Sequence, residues 1–239
     1  MKPTEHSISP VGFIETPFQE KFGIPRQPAV AEKILGRIFF CEAFNNVDYL
    51  RGIEHFSDLW LIFGFHQHFA SETSALVRPP RLGGNQKIGV FASRSSFRPN
   101  HLGMSKVKYV AHGLDNGQLW LSVAGVDLLS GTPIYDIKPY LNYTDSAPAA
   151  ASSYAASKPA KTMSVDYSAL AGQQLAKWQQ QYTDLAELIQ RILEQDPRPA
   201  YKQKLANDNK CYGLRLYRLD IQWQVHKDTV LINAINAVT

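Results

Sequence analysis

The densest run of side chains able to do chemistry is RPPRLGGNQKIGVFASRSSFRPNHLGMS, Arg78 to Ser105, in which arginines alternate with turn-forming residues. Pro79, Pro80 and Pro99 stiffen this stretch, and Gly83 and Gly84 permit positive φ or close backbone approach, so Arg94 and Arg98 are held in defined positions. Held guanidiniums suit two-pronged recognition of phosphate or carboxylate. Phe97, between Ser96 and Arg98, offers a ring for a nucleobase, although a single loop phenylalanine equally serves packing.

Three further segments carry polar groups in suggestive places. In LWLIFGFHQHF, Leu59 to Phe69, an apolar strand ends in His66, Gln67 and His68. Metal binding there would need further ligands at a recognisable spacing, and none appears, which favours hydrogen bonding or structure. The loop Lys21 to Pro28 sets Arg26 and Gln27 between Pro25 and Pro28, a rigid frame for a guanidinium and backbone amides. In DLLSGTPIYDIKPYLNY, Asp127 to Tyr143, Ser130, Gly131, Thr132 and Pro133 read as a tight turn and Lys138-Pro139-Tyr140 as a bend carrying a cation and a ring. A plain hairpin, with Asp136 and Lys138 paired on one strand face, accounts for that segment equally well.

The elements that must position these groups are mainly strands. Short apolar or alternating runs at Val11 to Ile14, Ile34 to Cys41, Leu59 to Phe65, Ile88 to Ala92, Ser105 to Ala111 and Leu119 to Val126 are separated by Gly, Pro and Asn, which predicts a β-barrel or folded sheet. Helical stretches are expected over Val47 to Ile53 and Gln67 to Ala75. An Ala/Ser/Pro-rich segment, residues 146–163, cannot bury a core of its own and reads as a linker. Beyond it, Leu170, Leu175, Trp178, Tyr182, Leu185, Ile189, Ile192 and Leu193 recur at helical spacing. Alternation at Tyr212, Leu214, Leu216 and at Val230, Ile232, Ala234 then predicts strands. The expected organisation is a mainly β, barrel-like domain over residues 1–145 and a small α+β domain over residues 164–239.

Composition narrows the function classes. With 239 residues, 44% hydrophobic and 19% charged, the chain can bury a substantial core. No apolar run approaches the roughly 18 residues of a membrane span, and the opening residues are polar, so a soluble cytoplasmic protein without membrane association is expected. Cys41 and Cys211 are too few for a zinc ribbon or an iron-sulfur cluster, and no metal is expected. The glycine-rich dinucleotide and phosphate-loop patterns, HExxH and GxSxG are absent. The net charge is +4, but between Thr73 and Leu114 there is no Asp or Glu against seven Lys and Arg. The whole positive excess therefore lies in one stretch, as for a surface that meets phosphates.

Taken together and in order, EKFGIPRQP (Glu20 to Pro28), SDLWLIFGFHQ (Ser57 to Gln67), RPPRLGGN, GVFASRSSFRPN, DLLSGTPIYDIKPYL (Asp127 to Leu141) and QDPRPAYK (Gln195 to Lys202) resemble the TrmO-type family of tRNA methyltransferases. The resemblance implies a β-barrel methyltransferase fold, neither Rossmann nor knotted. It also implies a homodimer that binds S-adenosylmethionine and methylates N6 of threonylcarbamoyladenosine at position 37 of tRNA. By position it assigns donor binding to Arg26, Gln27, Pro28, His66, Gln67, Arg94, Leu102, Ser130, Gly131, Thr132 and Pro133. The chain departs from the family pattern at Ser93, Ser96, His101, Ser130 and Asn142. Ser130 in place of an acidic residue favours a backbone role at that turn.

Methyl transfer from a sulfonium is an in-line displacement, so the protein must mainly align donor and acceptor. Asp136, Lys138 and Tyr140 are the candidate catalytic residues, with Asp136 or a carbonyl beside Pro139 accepting from N6 and Tyr140 stacking on a ring. The base must be splayed from the anticodon loop, which single-stranded loops permit. Arg78, Arg81, Lys87, Arg98, Asn100, Arg198 and Lys202 are the candidate tRNA contacts. The alternative is a non-catalytic RNA-binding adaptor that uses the basic 78–108 stretch and has no need of a donor.

Overall fold

The structure is a computed structural model describing residues 6–24, 33–69, 73–83, 85–156, 163–203, 205 and 207–238. The chain forms two compact units, one of Met1–Thr16, Gln27–Val77 and Gly89–Pro148, the other of Pro17–Arg26, Arg78–Ile88 and Ala149–Thr239.

The first unit contains a closed six-stranded barrel. Its strands are β1 (Gly12–Glu15), β2 (Leu35–Phe40), β3 (Asp58–Gly64), β6 (Leu102–Asp115), β7 (Gln118–Ala124) and β8 (Thr132–Pro139), with the two-residue strands β4 (Leu76–Val77) and β5 (Ile88–Gly89) outside it. Around the barrel the order is β1-β2-β7-β6-β3-β8, and every pairing is antiparallel. Strand alternation makes the core: Ile14, Ile38, Leu59, Leu61, Leu119 and Leu121 are fully buried between more exposed neighbours, and Val123 and Ile134 are fully buried beside a further buried residue. Closure leaves no unpaired sheet edge. β8, bounded by Pro133 and Pro139, closes the ring between β1 and β3, and Pro133 sits opposite Phe13 at no cost because neither proline must donate there.

Two local expectations are corrected. Among the described residues of Gln67 to Ala75, the expected helix is reduced to a single 3₁₀ turn, His66–His68. Beyond it the backbone bonds outward: the Ser74 N–H donates to Phe97, and the Ala75 carbonyl accepts from Val90. The strand over Ile88 to Ala92 stops after two residues, because the Ser93 hydroxyl and N–H both return to the Val90 carbonyl and close a turn over Val90–Ala92. The helical stretch at Val47 to Ile53 is a pair of 3₁₀ turns, Val47–Leu50 and Ile53–His55, parted by Gly52 at φ +88°.

The second unit holds α2 (Ala169–Trp178), α3 (Leu185–Leu193) and a sheet in the order β10 (Asn207–Leu216), β11 (Leu219–His226), β12 (Thr229–Ala237), β9 (Ser164–Tyr167), following the short α1 (Asn142–Asp145) of the first unit. α4 (Ala200–Gln203) is a single turn. Ser168 caps α2 by accepting from the Ala171 N–H. α3 buries Leu185, Leu188, Ile189, Ile192 and Leu193, the spacing of one helical face. Two stretches from the N-terminal half pack with this unit. In the first, the Tyr217 N–H donates to Pro17, Phe18 bridges Leu216, Glu20 accepts from the Arg215 N–H, and Phe22 stacks on Trp223. Gly23 lies at φ +84°, and a Cβ there would run into the Leu214 side chain, so only glycine fits.

Candidate active site

Antiparallel pairing throughout the barrel puts the ends of β1, β3 and β7 and the beginnings of β2, β6 and β8 on one rim. The three connections that leave and rejoin this rim are residues 16–34, 65–101 and 125–131. Every residue expected to bind the donor lies on these connections or on the first residues of the strands they enter. Arg26, Gln27 and Pro28 lie outside the described residues, on the first connection. His66 and Gln67 follow β3 directly; Arg94 is exposed; Leu102, half-buried, begins β6.

The turn before β8 is built tightly. Gly131, at φ +80°, donates its N–H to Ile14, and the Thr132 hydroxyl donates 2.6 Å to the Leu129 carbonyl. Ser130 Oγ accepts from the Thr16 N–H at 3.3 Å, so its side chain is engaged with the frame and the turn presents backbone. Thr132 and Pro133 are buried. Opposite, the Phe65 N–H donates to the His101 carbonyl, and His101 Nδ1 lies 3.1 Å from the Ser96 carbonyl. Asn100 at φ 63° and His101 at φ 48° give a left-handed kink that turns the arginine segment into β6.

Sequence reasoning did not single out Asp127 or Ser105. Ser105 Oγ donates 2.7 Å to Asp127 Oδ1 at the same rim. Burial pushes the Asp127 carboxyl up to about 6, against the lowering effect of the Ser105 hydroxyl, its own backbone N–H and the charge of Arg94. The available signal was a Ser at an inward position of an otherwise apolar alternation, paired with an acid at the end of β7.

Asp136, Lys138 and Tyr140 are not on this rim. They follow one another along β8, with Asp136 and Lys138 exposed on its outer side, 3.9 Å apart as in the hairpin reading. Tyr140 lies at the other end, its N–H donating to the Asp58 carbonyl. Eight residues of strand separate it from Thr132, about 26 Å. Its ring is tilted on Trp60 at 5.8 Å and lies under Lys106 Nζ at 4.8 Å. The Trp60 indole N–H donates 3.0 Å to Asp145, whose carboxyl the Leu141 N–H and this indole hold below the usual range. Lys106 pairs with Asp58 at 3.1 Å; against partial burial, the Ser57 hydroxyl and Lys106 keep that carboxyl ionised below its ordinary value.

Among the candidate tRNA contacts, Arg98 and Asn100 belong to the first unit and Arg78, Arg81 and Lys87, all exposed, to the second. Arg98 donates to the Ser93 carbonyl at 3.4 Å. Arg198 is a correction: it is 1% exposed, grips Asp196 through two 2.8 Å bonds and lies 3.9 Å from Asp208. Its guanidinium is spent inside the unit because two buried carboxylates there need a cation. Lys202 Nζ stands 3.7 Å from Asp208 in the same cluster. Among the described residues no group of three or more His, Cys, Asp or Glu is arranged to hold a metal, and no helix is long and apolar enough to cross a membrane.

A closed six-stranded antiparallel barrel in one unit and a small α+β arrangement in the other define a two-unit β-barrel class of protein. The family model for the tRNA-methyltransferase O N-terminal domain matches residues 13–146, and that for the TrmO C-terminal domain matches residues 160–238. The chain is 42% identical over 215 residues to the tRNA (adenine(37)-N6)-methyltransferase of Escherichia coli K12, covering 90% of this chain and 91% of that one. It is 45% identical to a putative S-adenosylmethionine-dependent methyltransferase of Pseudomonas aeruginosa, covering 91% and 92%. A crystal structure of TrmO from Pseudomonas aeruginosa superposes with a TM-score of 0.79 at 36% identity, covering 98% of this chain and 99% of that one. The chain belongs to the tRNA-methyltransferase O family.

Proposed function

We infer that this protein transfers the methyl group of S-adenosylmethionine to N6 of adenine 37 in tRNA. The observation that carries this is the convergence on one barrel rim of His66, Gln67, Arg94, Leu102 and the Ser130 to Pro133 turn, in a chain similar over nearly its full length to an enzyme named for that reaction. Bound at the rim, the donor supplies an activated methyl on a sulfonium. The chain's contribution is alignment: the backbone of the Gly131 turn, hydrogen-bonded to Ile14 and Leu129, is a rigid wall, and the exposed Arg94 offers a guanidinium to a carboxylate.

Finer features belong to the same reading. The substrate adenosine carries the threonylcarbamoyl group, and the protein works in the cytoplasm as a homodimer. The length of β8 supports the dimer: within one chain Tyr140 stands about 26 Å from the Thr132 turn. A second copy that brings its own Asp136, Lys138 and Tyr140 to this rim joins an acceptor for the N6 proton to the donor. Arg98 and Asn100 of the first unit, and Arg78, Arg81, Lys87 and Lys202 of the second, are the tRNA contacts of this reading. Transfer of labelled methyl to tRNA carrying its native modifications, beside an unmodified transcript, tests the reading. Label on the native tRNA alone supports both the reaction and the modified substrate; tRNA binding without label on either replaces the enzyme with an RNA-binding adaptor.

A further inference from the structure

Asp127 has no part in the roles assigned so far. It lies three residues before Ser130 on the β7 to β8 connection, and the hydroxyl that donates to it at 2.7 Å belongs to Ser105, which faces into the barrel and is 5% exposed. The carboxyl is thus at the rim, beside the lumen and half-buried. Arg94 acts on it from the 65–101 connection, yet burial outweighs the guanidinium and the hydroxyl together and moves the pKa upward. A carboxylate desolvated beyond what its partners repay gains from any further cation brought to it. S-adenosylmethionine brings two, the sulfonium and the α-ammonium, together with one carboxylate.

We propose that Asp127 is the counter-ion for the donor's positive charge, with Arg94 taking the donor's carboxylate, so that the rim reads the charge of the donor's methionyl half and not only its adenosine. This rests on the donor-binding reading of the rim. It adds a consequence of its own: once the sulfonium becomes a neutral thioether, the carboxylate loses part of its partner, and the product is held less firmly than the donor. Ser105 is a positioning residue, since its hydroxyl fixes Oδ1 and with it the orientation of the carboxyl.

The test is calorimetric binding at pH 7.5 of S-adenosylmethionine, S-adenosylhomocysteine and methylthioadenosine, which carry two, one and no cations, to the wild type, Asp127→Asn and Ser105→Ala. Asparagine keeps an acceptor for Ser105, so the fold is retained, which circular dichroism checks. Asp127→Asn is expected to weaken S-adenosylmethionine by about tenfold or more and methylthioadenosine by less than about threefold, the loss of one charged contact. The loss for S-adenosylhomocysteine falls between these limits or equals the larger. Ser105→Ala, which keeps the charge, leaves the ratio of the first to the third ligand within about threefold of the wild type. Equal losses for all three ligands, or none, overturn the charge role. A wild type that binds no S-adenosylmethionine instead overturns the donor-site reading.

Discussion

Asp127 also leaves a signature on stability that needs no ligand. Burial raises its carboxyl from 3.8 to about 6 in the folded protein. Below pH 3.8 the group is protonated in both folded and unfolded chains and contributes nothing. Between 3.8 and 6 the unfolded chain ionises first, so stability falls as pH rises; above 6 both states are ionised and the full cost stands. At about 1.4 kcal/mol per pKa unit, that cost is about 3 kcal/mol. Asp127→Asn removes it while keeping the acceptor for Ser105. The variant is therefore expected to match the wild type near pH 3.5 and to exceed it by about 3 kcal/mol at pH 7.5. Urea unfolding of both proteins at half-unit steps from pH 3.5 to 8 measures this, since all other titrations cancel in the difference. A difference that does not change with pH, or one in which the wild type gains on the variant as pH rises, refutes the reasoning.

The remaining predictions concern other parts of the molecule. Gly23→Ala, at φ +84° against Leu214, is expected to destabilise the second unit by about 1–3 kcal/mol, read as a lowered midpoint in thermal unfolding. Arg198→Ala strands Asp196 and Asp208 in the interior and should cost about 3–5 kcal/mol, while leaving the salt dependence of tRNA binding per folded molecule unchanged. Arg98→Ala should instead leave stability nearly intact and flatten the plot of log affinity for tRNA against log salt by about one phosphate contact. Trp60→Phe removes the indole bond to Asp145 and loosens Tyr140; slower turnover with unchanged S-adenosylmethionine affinity is expected, and an unchanged turnover would count against Tyr140. Mixing Arg94→Ala with Tyr140→Ala protein should restore methyl transfer to about a quarter of wild type if the two residues act from different copies in a dimer, and no recovery would remove the dimeric site.

Much of this was legible in the amino-acid order. Alternation of Leu59, Leu61 and Phe63, or of Leu119, Leu121 and Val123, states which face of a strand is buried, because side chains alternate sides whatever the sheet around them. The spacing of Leu185, Leu188, Ile189 and Ile192 likewise commits α3 to one face. The acid-free run from Thr73 to Leu114 locates the positive charge without any coordinates. Gln67 to Ala75 misled because its helical spacing carried no information about Phe97 and Val90, whose partners at Ser74 and Ala75 draw the backbone outward.

Tertiary structure decided what the charged groups face. Arg198 and Arg98 stand in similar RP-containing segments, yet one is enclosed by Asp196, two residues before it, and by Asp208 from β10, while the other stays half-buried and donates to the Ser93 carbonyl. Asp127 looks like an ordinary strand-end acid until Ser105 and burial are placed around it. Residues 66, 94, 102 and 130 are far apart in order, and it is the antiparallel closure of the barrel that returns their connections to one rim while carrying Tyr140 to the other. Local periodicity specifies elements because it depends only on neighbours along the chain; the meeting of groups across a closed sheet depends on pairing partners that no local pattern records.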